Sequence, residues 1–506
     1  KETELGRKRK IDQSACNKDY SCVNGFCPSF VSVVGGQLRK PKNNNDAAAL
    51  FDPLPEPELP TLNRPWNIVV AGVGGTGVLT ITALVAMAAH IEGKGCATLN
   101  QTGLAQKFGA VVSHVRVATA QDDIKAVRIP AGEADLFIGC DLVVSTSYDA
   151  LAKVSNERTY AVINEAETPT AAFILDPDAR FPSGAMKRKL ATEITEQNLE
   201  FINATDVATR LLGDAIGINL FLLGFACQRG WLPVTRHALE RAIELNGVAI
   251  DFNKRAFEMG RRFAHKPSPF LTQLAKGAQT TTQTLDEVIQ DRYQRLVGYQ
   301  NEGYANRYLD TIMQLRKRDI DPQAAGSLTQ IAAKYLFKVM AYKDEYEVAR
   351  LYASDDFSQR LSAQFEGDFK LQFHLAPPLL SHPDPKTGKI KKRVFGAWMM
   401  PIFKMLAPLR ILRGTALDPF GLTDERRLER QDILQYQDML TEICRGLTAE
   451  NYTTAVELAG LPKKLRGFGH VKARNRDALL KNRAMLLNQF RGGLAHIAII
   501  DADRAA

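Results

Sequence analysis

No apolar run in this chain reaches the roughly 18 residues that a membrane-spanning helix needs. The longest candidate, "INLFLLGFACQRGW" from residue 218, is interrupted by Gly224, Gln228 and Arg229. A leader peptide is not legible either: the chain starts at Lys1 and runs "KETELGRKRKIDQ", charged where a leader would be apolar. The expectation is a fragment trimmed at its front. Cysteine is scarce, seven in 506 residues, and the odd count argues against a disulfide scaffold. Four of them, Cys96, Cys140, Cys227 and Cys444, are scattered, some in apolar runs such as "FIGCDLVV". A reducing compartment, the cytoplasm, is expected. The basic run "KTGKIKKR" lacks interleaved aromatics, so nucleic acid is not an expected partner. A net charge of +9 over this length suits solubility as well as an acidic partner.

What is present divides the chain. Residues 1–45 are polar and hold Cys16, Cys22 and Cys27. Residues 46–65 continue a proline- and asparagine-rich linker; six prolines fall between residues 40 and 66. At "NIVVAG" an apolar strand leads into "GVGGTG" and then a buried-type helix, "VLTITALVAMAAHI". Further strands are expected at 96–100, 111–118, 135–140 and 159–164, with helical stretches at 206–213, 217–229 and 235–263. Alternation of this kind predicts an α/β domain over 66–267, with a parallel sheet covered on both faces. Residues 268–506 read as a mainly α-helical domain. Its one interruption, 371–396, combines four prolines with five basic residues and reads as a long loop or ribbon.

The segment "CNKDYSCVNGFCPSF" spaces its thiols C-x5-C-x4-C in one short stretch. Soft thiolate donors suit iron bridged by sulfide, and proline after the last cysteine, Cys27-Pro28, matches a ferredoxin-type run. Structural zinc would need a fourth donor, and the nearest histidine in sequence is His90. Three unligated surface thiols are the plain alternative.

Gly72, Gly74 and Gly77 form G-x-G-x-x-G between a strand and a helix, with Gly75 and Thr76 inside the loop. Such a loop seats a phosphate on the amides of the following helix. A dinucleotide-binding domain also wants Asp or Glu at the end of the second strand to hold a ribose. Here that strand ends Asn100, Gln101 and Thr102. These three and the loop residues are the candidate cofactor-binding set. The alternatives left open are a nucleotide-binding adenylating protein, or an NAD-dependent Rossmann protein with a structural metal site.

"RKRKIDQSACNKDYSCVNGFCPSF", "VAGVGGTG", "LNQTGLAQKFGAVVSHVRVA" and "LPKKLRGFGHVKARN" together resemble the C-terminal part of a fused indolepyruvate:ferredoxin oxidoreductase, of the 2-oxoacid:ferredoxin oxidoreductase family. The resemblance implies a Rossmann-like gamma domain at 66–267, preceded by a partial ferredoxin-like cysteine segment. It implies oxidative decarboxylation of an aryl 2-oxoacid to its acyl-CoA, with electrons passing through [4Fe-4S] clusters to ferredoxin. It also implies that Cys16, Cys22 and Cys27 are cluster ligands, completed from upstream. Thiamine diphosphate and magnesium would belong to an upstream region, because no G-D-G with a following N-N pair occurs here. This chain alone is then expected to be inactive, and a homodimer is the default assembly. Gln101, Gln106, Lys107 and His114 lie in the segment that faces the active site in the family; for His114 a satisfied buried role is the simpler expectation. Arg466, His470, Lys472 and Arg474 form a cationic set that could meet phosphate, with an exposed helix-start loop as the plainer reading.

Overall fold

The computed structural model describes residues 5, 11, 20–24, 29–39, 53–103, 109–168, 170, 179–276, 283–324, 326–377, 392–467 and 469–492. Cys16, Cys27, Gln106 and Lys107 lie outside them. The chain divides into two units, one comprising residues 11–17 and 40–280, the other 1–10, 18–39 and 281–506.

Strands are numbered along the chain; β1 (Ser29–Val34) and β2 (Gln37–Leu38) belong to the second unit. The first unit holds β3 (Trp66–Val73), β4 (Gly95–Thr102), β5 (Ala110–Ala118), β6 (Leu136–Gly139), β7 (Tyr160–Asn164) and β8 (Leu199–Ile202). Among the described residues these form one sheet in the order β4-β5-β3-β6-β7-β8. β3, β6 and β7 run parallel, as expected, and β8 continues the parallel run. β5 instead runs antiparallel to both β3 and β4, which corrects the all-parallel expectation. The cause is the short link from Gly103 to Gly109, which allows a hairpin but not a crossover. β8, "LEFI", was not anticipated, because four residues carry too little pattern.

The apolar run in β3 is explained by burial on both faces. Ile68 and Val70 enter one core, whereas Val69 and Ala71 enter the other. The first core is built with α1 (Val78–Ile91); the second takes Leu190 from α2 (Ser183–Glu193). α3 (Ile218–Gln228), α4 (Arg236–Asn246) and α5 (Ile250–His265) complete the first core. The stretch 235–263 is therefore two helices, parted where Gly247 adopts a left-handed φ of 71°. α3 and α5 pack backbone to backbone: a Cβ on Gly224 would sit 1.9 Å from the Phe257 carbonyl oxygen. α6 (Ser268–Lys276) adds Phe270 to the same core, beyond the expected limit at 267.

In the second unit, α7 (Leu285–Tyr299), α8 (Glu302–Arg316) and α9 (Leu328–Met340) share a core with α13 (Asp424–Gly446), α14 (Tyr452–Gly460) and α15 (His470–Phe490). Side-chain caps from Thr284, Asn301, Ser327 and Thr423 fix the starts of α7, α8, α9 and α13, and Thr284 and Glu287 form a reciprocal capping box on α7. Between them lie α10 (Glu345–Tyr352), α11 (Asp355–Gln364) and α12 (Met399–Leu406). β1 pairs antiparallel with β10 (Lys370–Leu375), and β10 with β11 (Arg393–Phe395). β2 pairs with β9 (Phe365–Glu366). β1 and β2, which follow Cys22, are thus joined to strands around the proline-rich interruption, and residues 29–38 do not stand apart from the helical region. A sequence pattern cannot announce such a pairing across more than 300 positions.

Candidate functional site

The glycine loop joins β3 to α1 at the carboxyl edge of the sheet. It lies beside the junction of β3 and β6, where the chain's path over the sheet changes direction. The Gly74 amide donates to the Gly109 carbonyl at 2.7 Å, tying the loop to the β4–β5 hairpin. Gly75 and Gly77 take φ values of 85° and 95°, a backbone that a side chain strains. Gly72 admits no side chain: a Cβ there would meet Cys140 Cβ at 2.7 Å and Val78 Cγ2 at 2.8 Å. The Thr76 hydroxyl donates to the Val73 carbonyl at 2.7 Å, while its carbonyl accepts from Asn219 Nδ2 at 2.8 Å. Asn219 is buried, so α3 clamps the loop from behind.

An open pocket of about 420 Å³ lies against this loop, lined by Gly74, Gly75, Gly77, Val78 and Leu79, and opposite them by Thr102, Gly103, Gly109 and Val111. The Thr80 amide bonds the Gly77 carbonyl at 3.0 Å, and a helix start leaves the amides before it without intrahelical acceptors, a seat for an anion. Of the three strand-end candidates, Thr102 joins the glycines at the pocket. Alternation along β4 separates the other two. The Asn100 side chain accepts from the Thr82 hydroxyl on α1. Gln101 Oε1 lies 3.2 Å from His114 Nε2.

His114 is fully buried, and the Ile129 amide donates to its Nδ1 at 3.2 Å. Nε2 therefore carries the proton and donates to Gln101. Burial, then the cations Lys153 and Arg128, push its pKa down to about 4. It is a neutral, satisfied histidine.

Two residues missed in the sequence support the loop. Asn219 is the one amide side chain in "INLFLLGFAC", a signal that was available. Asp141, following β6, accepts from the Val144 amide at 2.8 Å and caps a short helix. Among the described residues its second oxygen has no hydrogen-bond partner, and it would lie 3.5 Å from a Cβ on Gly72. Burial raises its carboxyl above the ordinary range, opposed by the amides of Val144, Val143 and Val73.

Cys22 lies exposed on the turn Ser21–Asn24. Among the described residues no group of three or more His, Cys, Asp and Glu side chains is arranged to hold a metal. Burial raises the Cys96 thiol to about 11 and that of Cys227 to about 12, so neither is a ready thiolate. In the cationic set, Lys472 bonds Glu429, and Arg466 Nε donates to the Lys463 carbonyl at 2.9 Å. The side chain of His470 is outside the described set.

Fold and loop together define a Rossmann-like glycine-loop domain that lacks a ribose-holding carboxylate after its second strand. Residues 67–263 match the family described as pyruvate ferredoxin/flavodoxin oxidoreductase, and residues 285–484 match a family of unknown function. The indolepyruvate oxidoreductase subunit IorB of Archaeoglobus fulgidus is 30% identical over 200 residues, 38% of this chain and 92% of that one. Its counterpart from Pyrococcus horikoshii is 28% identical over 204 residues, 40% of this chain and 96% of that one. This chain belongs to the 2-oxoacid:ferredoxin oxidoreductase family. Among solved structures, pyruvate oxidoreductase subunit PORC from Thermotoga maritima aligns with a TM-score of 0.29 at 19% identity, covering 39% of this chain and 96% of that one. A 2-oxoglutarate:ferredoxin oxidoreductase from Magnetococcus marinus aligns with a TM-score of 0.30 at 16% identity, covering 40% and 31%. No described helix is long and apolar enough to cross a membrane.

Proposed function

We propose that this chain is the gamma-domain portion of an enzyme that oxidatively decarboxylates an indolepyruvate-like 2-oxoacid to its acyl-CoA and passes the electrons to ferredoxin. The observation that carries the reading is the family match falling on the glycine-loop domain. The IorB names of its relatives favour an aryl substrate. In this reading the loop amides and the start of α1 hold the phosphates of coenzyme A, with Thr102 across the pocket. Cys16, Cys22 and Cys27 contribute thiolates to a [4Fe-4S] cluster, whose chemistry is one-electron transfer. Thiamine diphosphate and magnesium sit on an upstream region or partner polypeptide, and the present residues act by binding and orienting. A reducing cytoplasm keeps the thiols available as ligands.

Calorimetric titration with coenzyme A, NADH and ATP separates this reading from a nucleotide enzyme: coenzyme A alone is expected to bind. Binding of NADH or ATP without coenzyme A refutes it. Anaerobic preparation together with the thiamine-bearing part is expected to contain iron and acid-labile sulfide and to reduce a viologen dye with coenzyme A and the oxoacid. A folded, iron-free preparation, or one zinc and no iron, removes the cluster assignment.

A further inference from the structure

α12 already has a core. Phe403 is 3% exposed, with its ring 5.2 Å from Tyr352 and 5.1 Å from Phe373, and Met399, Met400 and Leu406 pack around that cluster. Among the described residues its other face has no such covering beyond an edge-on contact of Trp398 with Phe395 at 5.9 Å. Trp398, Ile402, Met405 and Leu409 recur at helical spacing and are 60%, 36%, 71% and 42% exposed. Val394, on β11 just before, is 58% exposed. Large apolar side chains lined up in water mark an interaction surface, and tryptophan and methionine are typical of interface centres.

Charge narrows the occupant. From Lys392 to Leu417 the chain has no Asp or Glu, and Arg393 and Lys404 are exposed beside the stripe. A second copy of a chain with a net charge of +9 brings like charge to this face, whereas an acidic protein brings the complement. Position narrows it further. The Lys392 ammonium bonds the carbonyl of Val23, next to Cys22, and lies 4.6 Å from the ring centre of Phe30. β1 and β11 flank the same strand, β10. The stripe therefore begins where the cysteine-bearing segment is fastened.

We propose that Val394, Trp398, Ile402 and Met405, with Arg393 and Lys404, form the docking face for a small acidic electron-carrier protein of the ferredoxin type. The inference rests on the functional reading above for its electron donor, but docking is measurable without turnover. The apolar stripe supplies the seat, and the cations steer the carrier toward the cysteine-bearing turn.

The test uses the complete enzyme and a purified, oxidised [4Fe-4S] ferredoxin of net negative charge, with Kd measured at low and high salt. Trp398→Ala and Met405→Asp are expected to raise Kd at least tenfold. Arg393→Glu with Lys404→Glu is expected to raise it at low salt and flatten the salt dependence. The Trp398 ring meets Phe395 edge-on at 5.9 Å, so Trp398→Ala should lower thermal stability slightly, whereas Met405→Asp, at a side chain 71% exposed, should unfold as the wild type does; circular dichroism checks that each variant is folded. Unchanged Kd in all these folded variants overturns the proposal. So does loss of binding to phosphatidylglycerol vesicles, or loss of self-association in sedimentation, while ferredoxin Kd stays as in the wild type. Failure of the wild-type enzyme to reduce viologen, with ferredoxin binding still sensitive to Trp398→Ala, sinks the catalytic reading and leaves the docking face standing.

Discussion

Replacing Gly77 by alanine tests how the glycine loop is held, with Gly75→Ala as its control. Both positions have left-handed φ values, 95° and 85°, so each substitution carries backbone strain of about 1–2 kcal/mol. They differ in surroundings. A Cβ on Gly75 meets nothing within 4 Å, whereas one on Gly77 falls 3.1 Å from Asn219 Nδ2. That nitrogen donates the 2.8 Å bond to Thr76 that clamps the loop. Displacing a buried amide from its partner adds about 1–2 kcal/mol. Gly77→Ala should therefore cost about 2–4 kcal/mol in all, against about 1–2 for the control. For a domain of this size each kcal/mol lowers Tm by about 2–4 °C, so calorimetry resolves the difference. A cycle with Asn219→Ala should show a coupling of about 1 kcal/mol between positions 77 and 219. Coenzyme A affinity should fall further in Gly77→Ala than in Gly75→Ala. Equal losses in the two variants, with an additive cycle, would refute the clamp.

The remaining expectations concern the supports of each unit. Gly224→Ala forces α3 and α5 apart, because the new Cβ overlaps the Phe257 carbonyl, and should cost about 3 kcal/mol or more by thermal denaturation; Gly184→Ala, whose nearest neighbour is Arg188 Nη1 at 3.6 Å, should not. His114 makes stability depend on pH: the unfolded chain takes up a proton below 6.5, while the folded one resists until about 4. Stability is therefore lost as pH falls through that window, by about 3 kcal/mol at its end. Urea titrations of His114→Gln should show a flatter profile there; an unchanged slope would contradict the buried neutral tautomer. Arg413 and Asp344 form a buried pair with contacts of 2.5 and 2.8 Å, and Arg413 stacks 3.6 Å from the centre of the Tyr299 ring. Arg413→Met should cost about 3–5 kcal/mol by leaving the buried Asp344 carboxylate without its cation, and adding Asp344→Asn, which removes the charge but can still cap α10 through the Glu347 amide, should recover part of it.

Local pattern made much of the first unit legible. "NIVVAGVGGTG" carries both a strand buried on two faces and the turn after it, because apolar continuity and positive-φ glycine are properties of neighbouring residues. Gly247 escaped notice, although its conformation divides 235–263 into two helices. β8 escaped because it is short. Asn100, Gln101 and Thr102 were grouped by adjacency, yet strand alternation sends successive side chains to opposite faces, so the pocket receives Thr102 while Gln101 turns to His114. Asp141 was passed over because its closeness to Gly72 comes from β6 lying beside β3, a pairing that spans the intervening hairpin.

The sequence by itself determined the alternating class of residues 66–265, the glycine turn, the missing ribose carboxylate and the thiol spacing, since each depends on residue type and near-neighbour order. Only the tertiary structure decided that β5 runs antiparallel, that Asn219 clamps the loop, and that β1 joins β10 so that the Cys22 turn borders an exposed tryptophan stripe. Those outcomes rest on contacts between distant segments, where the free energy of burial and pairing is shared among residues that no local pattern links.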